Sequence, residues 1–238
     1  MIQGRLTAVA VVAWLCVSVL TASPVGAEWF ADIFVGASKP TSEDVKIREI
    51  SPGLDLRYKD VDFDTSITYG GRFGKYFDGL PWLGVSADVM SFSPNISQQT
   101  SVQHASTGTV AATTLPPIDL SSTVVSIDLM LRLPLLSTTD IPHGRLQPYV
   151  LGGPAFFFTD ARDRGNFLPR HQSELDVAAG YNVGGGVAWQ FDKTLGIFGE
   201  YRYSHVNHEF DFHNFGARVP VETDLNTHHI LIGISAKF

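Results

Sequence analysis

The chain closes with "HHILIGISAKF" at residues 228–238, where apolar residues recur at every second position. Ile230, Ile232 and Ile234 share one parity, and the residues between them are mostly small or polar. Because successive side chains of a strand point to opposite faces, one face of this strand is apolar. That face contacts either a protein interior or lipid, and the two possibilities predict opposite architectures.

Alternation of this kind recurs along the chain after Ala27. The segments that show it are 29–38, 65–77, 80–92, 121–133, 146–158, 176–191, 194–206 and 227–238. Each segment has about the length that a tilted strand needs to cross a bilayer, and none approaches the roughly 18 continuous apolar residues of a helical span. The pattern predicts an all-β fold, an eight-stranded antiparallel up-and-down transmembrane β-barrel.

The predicted connections alternate between long and short. The long ones are 39–64, 93–120, 159–175 and 207–226, and the short ones are 78–79, 134–145 and 192–193. All long loops therefore fall at one end of the sheet and both termini at the other, which is typical of outer-membrane barrels. The loops 39–64 and 93–120 are long enough that we expect part of each to lack regular structure.

The first residues are typical of a targeting segment. Arg5 precedes an apolar run over 6–20, and Val25-Gly26-Ala27 places small residues at the spacing that signal peptidase requires. We predict a signal peptide over 1–27 and a barrel domain over 28–238; the alternative is an uncleaved membrane helix. Removal of 1–27 takes away Arg5 and the only cysteine, Cys16, so the formal charge goes from −7 to −8. No basic patch for nucleic acid is left.

Two architectures fit the alternation, a soluble lipocalin-like barrel with an apolar interior and a membrane barrel with an apolar exterior. The polar parity carries four acids and four bases: Asp32, Asp88, Asp128, Glu200, Arg72, Arg132, Arg202 and Lys237. A confined lumen needs such a balance because an unpaired buried charge costs several kcal/mol. We therefore predict a structural network of ion pairs in the lumen of a membrane barrel, with an ion path as the alternative.

Aromatic residues near the strand ends at the termini predict an interfacial belt. They are Trp29, Tyr76, Phe77, Trp82, Tyr149, Trp189, Phe191 and Phe238.

Three segments resemble the recurring strands of the OmpA-like and OmpX-like outer-membrane barrel family: "LQPYVLGGPAF" (146–156), "YNVGGGVAW" (181–189) and "GEYRYS" (199–204). The last strand, closing on Phe238, is similar to the carboxy-terminal signal of that family. The resemblance implies a Gram-negative outer-membrane protein surrounded by outer-membrane lipid, with an assembly machinery that reads Phe238. It implies no single activity.

Histidines cluster near the last long loop, at His205, His208, His213, His228 and His229. Imidazole is a common metal ligand, but polar residues at a wet rim explain the cluster equally well. Ser204-His205 invites comparison with the lipid A deacylases among outer-membrane barrels, which carry a His-x-Ser-Asn arrangement on one strand. Here the serine precedes the histidine and Val206-Asn207 follow it, so the order and spacing of the serine and histidine differ. We assign no catalytic residue, no metal and no cofactor, and predict no enzyme activity.

The long loops are rich in Ser, Thr, Asp, Asn and His. Loops concentrate binding functions, so the predicted role is structural or surface interaction through extracellular loops. The alternative is a narrow porin-like channel; a surface lipid hydrolase and a soluble lipocalin-like binder are further from the pattern.

Overall fold

The computed structural model describes residues 28–51, 54–115, 117–163, 173–214 and 217–238. The predicted signal peptide lies outside these residues. The strands are β1 (Glu28–Pro40), β2 (Glu43–Ser51), β3 (Leu54–Val61), β4 (Ser66–Phe77), β5 (Leu80–Phe92), β6 (Gln99–Ala105), β7 (Val110–Leu115), β8 (Ile118–Arg132), β9 (Leu146–Asp163), β10 (Ser173–Gln190), β11 (Leu195–Asn214) and β12 (Ala217–Lys237). Among the described residues, no helix is long and apolar enough to cross a membrane.

Eight of these strands close into a barrel in the order β1, β4, β5, β8, β9, β10, β11, β12. The first and last strands pair antiparallel from Phe30↔Lys237 to Pro40↔Thr227, which closes the ring. The predicted eight-stranded antiparallel barrel is therefore confirmed. Glu28 and Phe238 lie at one end, which we call the proximal end; the opposite end is the distal end.

The long connections 39–64 and 93–120 each contain a β-hairpin that the alternation did not predict, with stretches outside regular structure such as 62–65 and 107–109. Strand β2 pairs with the distal part of β12, at Val45↔Thr223 and Ile47↔Val221. Strands β3, β6 and β7 then follow β2 in order. We call the four strands β2, β3, β6 and β7 the distal sheet. The loop predicted over 207–226 is also mostly strand, since β11 and β12 stay paired as far as Asn214↔Ala217.

The apolar parity of the barrel strands faces outward. Ile67, Ile230 and Ile232 are 72%, 68% and 64% exposed, whereas Thr68 and Leu231 beside them are fully buried. A soluble barrel would hide the isoleucines, so the lipocalin-like alternative is excluded. The closing strand that decides the fold presents its apolar face to the outside of the barrel, as membrane barrels do.

The predicted aromatic belt is correct at some positions and wrong at two. Trp82, Trp189 and Phe191 are outward and exposed. Tyr76 and Tyr149 are buried, at 6% and 7% exposure, and point into the lumen. Parity explains the error, because each tyrosine is an even number of residues from a lumenal side chain of its own strand.

Glycines of the lumenal parity make room for aromatic rings on neighbouring strands. A Cβ on Gly233 would lie 2.5 Å from Cζ of Phe198, and one on Gly186 would lie 2.8 Å from the Tyr149 hydroxyl. Both distances are shorter than carbon contacts allow, so the narrow interior fits its rings only where the facing residue lacks a side chain.

Candidate functional site: the lumen and the distal sheet

All eight charged residues predicted for the lumen are buried, with 0 to 7% exposure: Asp32, Arg72, Asp88, Asp128, Arg132, Glu200, Arg202 and Lys237. They divide into a central cluster, a proximal cluster and an isolated carboxyl group.

The central cluster joins β1, β4, β5 and β11 across the lumen. Strand register places Asp32 opposite Arg72 and Arg72 opposite Asp88. Arg72 contacts Glu200 at 2.7 Å, Asp88 at 3.1 Å and Asp32 at 3.4 Å. Arg202 contacts two of these three acids, Glu200 at 2.6 Å and Asp88 at 2.9 Å. Two guanidinium groups thus share three carboxylates.

Aromatic rings and a hydroxyl complete this cluster. Tyr149 donates its hydroxyl to Oε2 of Glu200 at 2.7 Å. The Arg72 guanidinium lies 5.7 Å from the Phe198 ring centroid, and that of Arg202 lies 5.5 Å from the Phe34 ring centroid. Cation–π contacts strengthen as water is removed, so the rings hold the cations in place while filling the lumen.

The proximal cluster closes the lumen at the termini and includes a residue that sequence reasoning missed. Glu28 accepts from both terminal nitrogens of Arg132, at 2.5 and 2.8 Å, and from Lys237 at 2.7 Å. The Arg132 guanidinium stacks 3.6 Å from the Tyr76 ring centroid. Glu28 lies four residues before Asp32 and therefore on the same, lumenal face of β1; this alternation could have identified it from the sequence. Glu28 also adds a fifth acid, so the predicted balance of four acids and four bases does not hold.

Asp128 stands apart from both clusters. Its Oδ2 accepts from Ser126 at 2.7 Å, and its Oδ1 has no hydrogen-bond partner among the described residues. The side chain is fully buried. The network therefore pairs seven of the eight predicted residues and leaves one carboxyl group bonded only to a hydroxyl.

Above the central cluster lies a layer of hydroxyl groups and one imidazole. His229 lies 2.5 Å from Oγ of Ser38 through Nδ1 and 2.9 Å from Oγ of Ser204 through Nε2. Ser38 also bonds Thr68. His205 points outward and contacts Asn226 instead. Ser204 and His205 thus lie on opposite faces of the barrel wall, which rules them out as a nucleophile and its base.

A second layer lies nearer the distal end. His208 contacts Asp176 at 2.7 Å and Thr159 at 3.1 Å, and Thr159 donates to Ser122 at 3.0 Å. The order hydroxyl, imidazole, carboxylate matches that of a hydrolytic triad. Thr159 is 1% exposed and Ser122 is fully buried, so the hydroxyls meet no solvent through which a substrate would arrive. We interpret this series of hydrogen bonds as a structural link between β8, β9, β10 and β11.

The remaining histidines of the predicted cluster are separated. His228 faces outward and lies 2.5 Å from the Tyr201 hydroxyl. The side chain of His213 lies outside the described residues. Within the described part of the chain, no three His, Cys, Asp or Glu side chains converge on one point.

The distal sheet covers the barrel mouth with its apolar face. Buried apolar and aromatic residues of this sheet and its flanks, each at most 9% exposed, include Val45, Leu56, Tyr58, Val61, Phe63, Ile96 and Leu120. They form one cluster with Val206 and Leu225 of the barrel wall. Apolar packing therefore seals the lumen above the two hydroxyl layers.

Little open space is left inside. A cavity of about 20 Å³ lies between the central and proximal clusters, lined by residues that include Asp32, Arg132 and Gln190. This volume is about that of one water molecule. Between the two clusters, the lumen is thus filled by protein side chains.

The outer face of the distal sheet is polar over β2 and β3, whereas β6 and β7 expose Val102 and Val110 on it. Lys46, Arg57 and His104 lie side by side on adjacent strands and line a hollow of about 300 Å³. Arg57 pairs with Asp44 at 2.5 Å. Slight burial raises the pKa of Asp44, but the N–H of Asp60 and the Arg57 guanidinium outweigh it, so the pKa lies below its usual value.

Known proteins share this architecture. A family model described as the outer membrane protein beta-barrel domain matches residues 7–238. The structure of Neisserial surface protein A is similar with a TM-score of 0.51 and 12% identity, covering 90% of this chain and 99% of that one. Outer membrane protein OprG from Pseudomonas aeruginosa is similar with a TM-score of 0.58 and 13% identity, covering 90% and 96%.

These identities show the fold alone. Comparison with curated protein sequences finds none that matches this chain. The family model, however, spans nearly the whole chain, and the closed eight-stranded barrel agrees with it. The chain belongs to the outer-membrane β-barrel protein family.

Proposed function

We propose that this protein is a closed surface-interaction protein of the outer membrane, exported by the predicted signal peptide, with the barrel as its anchor and the distal sheet as its contact surface. The observation that carries the proposal is the combination of a filled lumen with a structured sheet at the distal end. A lumen packed with paired charges and capped by apolar residues supports an anchor. A structured sheet whose outer face is polar over β2 and β3 supports contact with partners outside the cell.

The test against the channel alternative is electrical. Purified barrel in a planar bilayer leaves the membrane silent if the lumen is packed. A stable step conductance would favour the channel and overturn the anchor role.

The test of the contact surface uses cells that express the chain. Replacement of residues 99–115 by a short turn removes β6 and β7 and leaves all eight barrel strands. We expect adhesion to protein-coated surfaces to fall to the level of cells without the protein, while the variant still migrates as a folded barrel in unboiled gels. Adhesion unchanged by the replacement would contradict the role of the distal sheet.

The proposed assembly partner is the outer-membrane insertion machinery, through Phe238. The ring lies 6.4 Å from the Phe73 ring at the proximal rim, so it also contributes packing. For Phe238→Ala we expect impaired insertion in cells and normal refolding in detergent. Equal loss in both settings would assign Phe238 to packing alone.

A further inference from the structure

Strand β7 is the open edge of the distal sheet. The sheet runs β12, β2, β3, β6, β7 and ends there. Within the described residues, β7 pairs with β6 alone, from Gln99↔Leu115 to His104↔Val110.

Two backbone hydrogen bonds fix which groups of β7 point away from β6. The N–H of Ala105 donates to the carbonyl of Thr109 at 2.9 Å, so that pair is a hydrogen-bonded one. Hydrogen-bonded pairs alternate along an antiparallel ladder, so the groups of Ala111 and Thr113 also face β6. The N–H of Ser106 donates to the carbonyl of Asp55 on β3, so the even-numbered residues of β6 bond to β3 and the odd-numbered ones bond to β7. Val110, Ala112 and Thr114 therefore direct their N–H and C=O groups outward.

Strand β7 is short, but between Val110 and Leu115 it carries no residue that discourages pairing. Natural edge strands carry Lys, Pro or a bulge that repels another strand. From Val89 to Ile118 the chain has no Asp, Glu, Lys or Arg. Val110 is 58% exposed, and Val102 on β6, which pairs with Ala112, is 45% exposed. An added strand would gain main-chain hydrogen bonds and an apolar neighbour.

We propose that two copies of this chain pair antiparallel through β7. In the register that sets Ala112 opposite Ala112 of the second copy, Val110 meets Thr114 and all six outward N–H groups find carbonyls. Small and β-branched side chains then face each other without charge. The chain as a whole is acidic, so a charge-free hairpin is where two copies meet without repulsion.

The symmetry limits the assembly to a pair. An antiparallel contact between identical edges is isologous, so each copy uses its edge once and no filament grows. Strand β7 ends at Leu115, and the turn at Gly108 precedes it, so the contact stays short. The inference goes beyond the surface-interaction proposal and holds in detergent whether or not the distal sheet has other partners.

Single cysteines test the register directly, because the only cysteine of the chain, Cys16, lies in the predicted signal peptide. Directly opposite hydrogen-bonded residues have Cα atoms about 5.5 Å apart, within the span of a disulfide. Under mild oxidation of the folded protein, A112C is expected to form a disulfide dimer. A111C and T113C alone are expected to form little, and a mixture of the two is expected to form a mixed dimer.

A charge variant distinguishes disulfides formed by paired β7 strands from disulfides formed by random collision of two copies. Adding A112K to both A111C and T113C sets like charges opposite each other and is expected to reduce mixed-dimer formation at least tenfold. The matched control, T107K, adds the same charge in the turn and leaves it unchanged. Migration as a folded barrel in unboiled gels verifies each variant. Equal cross-linking of A111C and A112C, or no dimer from folded A112C, overturns the proposal.

Discussion

Arg202 shows at the scale of one residue what holds the lumen together. It is fully buried and pairs with both Asp88 and Glu200. Arg202→Met keeps most of the side-chain volume and leaves the two acids with less compensation. We expect the free energy of unfolding to fall by about 3–5 kcal/mol, the cost of breaking a buried pair. Urea unfolding in detergent, followed by gel mobility, measures it.

The matched control is Arg162→Met. Arg162 pairs with Asp160 at 2.6 Å, but its side chain is 61% exposed. Exposed ion pairs contribute about 0–1 kcal/mol, so this variant should unfold nearly as the parent does. Similar losses in both variants would show that the lumenal network is no stronger than a surface pair.

Asp44 gives a prediction for pH at the same scale. Its pKa is lowered in the folded state, so its contribution to stability is present above the unfolded value of about 3.9 and is lost as pH falls through the folded pKa. Pepsin cleavage of the β2–β3 hairpin should therefore rise below about pH 4. Asp44→Asn should be cleaved readily at pH 4 to 6 and gain little on further acidification. A parent and variant with identical profiles would remove Asp44 from the account.

At the scale of the element, glycine and ring placement sets how strands pack. A Cβ on Gly233 would meet Phe198, whereas one on Gly199 meets nothing within 4 Å. Gly233→Val should lower the free energy of unfolding by about 1–3 kcal/mol through overpacking. Gly199→Val, on the lipid side, should be neutral or stabilising. A larger loss at Gly199 would invert the assignment of faces.

The sequence predicted the long strands well and the short ones not at all. The barrel strands show alternation over ten or more residues, enough to stand out from chance. Strand β6 has seven residues and β7 has six, and the charges of β2 and β3 reflect a polar outer face. Their sheet joins the barrel through the pairing of β2 with β12, which is a tertiary contact. Local patterns do not report it.

Ion partners were equally hard to predict. Parity identified the lumenal face at Arg72 and Arg202, because a period of two leaves no other choice. Parity did not show that Asp128 would form no ion pair with a lumenal cation, because the shear of the strands decides which acids and cations lie at the same height in the barrel.

At the scale of the whole molecule, the apolar exterior of the barrel explains why its charged residues lie inside. Apolar side chains coat the barrel, so charge must collect inside, and the narrow interior must then pair it. The filled interior is the reason why we propose the distal sheet, and not the lumen, as the contact surface.

The most direct test uses a small fluorescent label on a single cysteine, attached before refolding into bilayers with brominated acyl chains. Ile232 is 64% exposed and Leu231 is fully buried. The label at Ile232→Cys should be quenched by bromine in the acyl chains and insensitive to aqueous iodide, and the label at Leu231→Cys should prevent folding. A barrel that folds with the label at 231 in contact with lipid and fails with it at 232 would contradict the account.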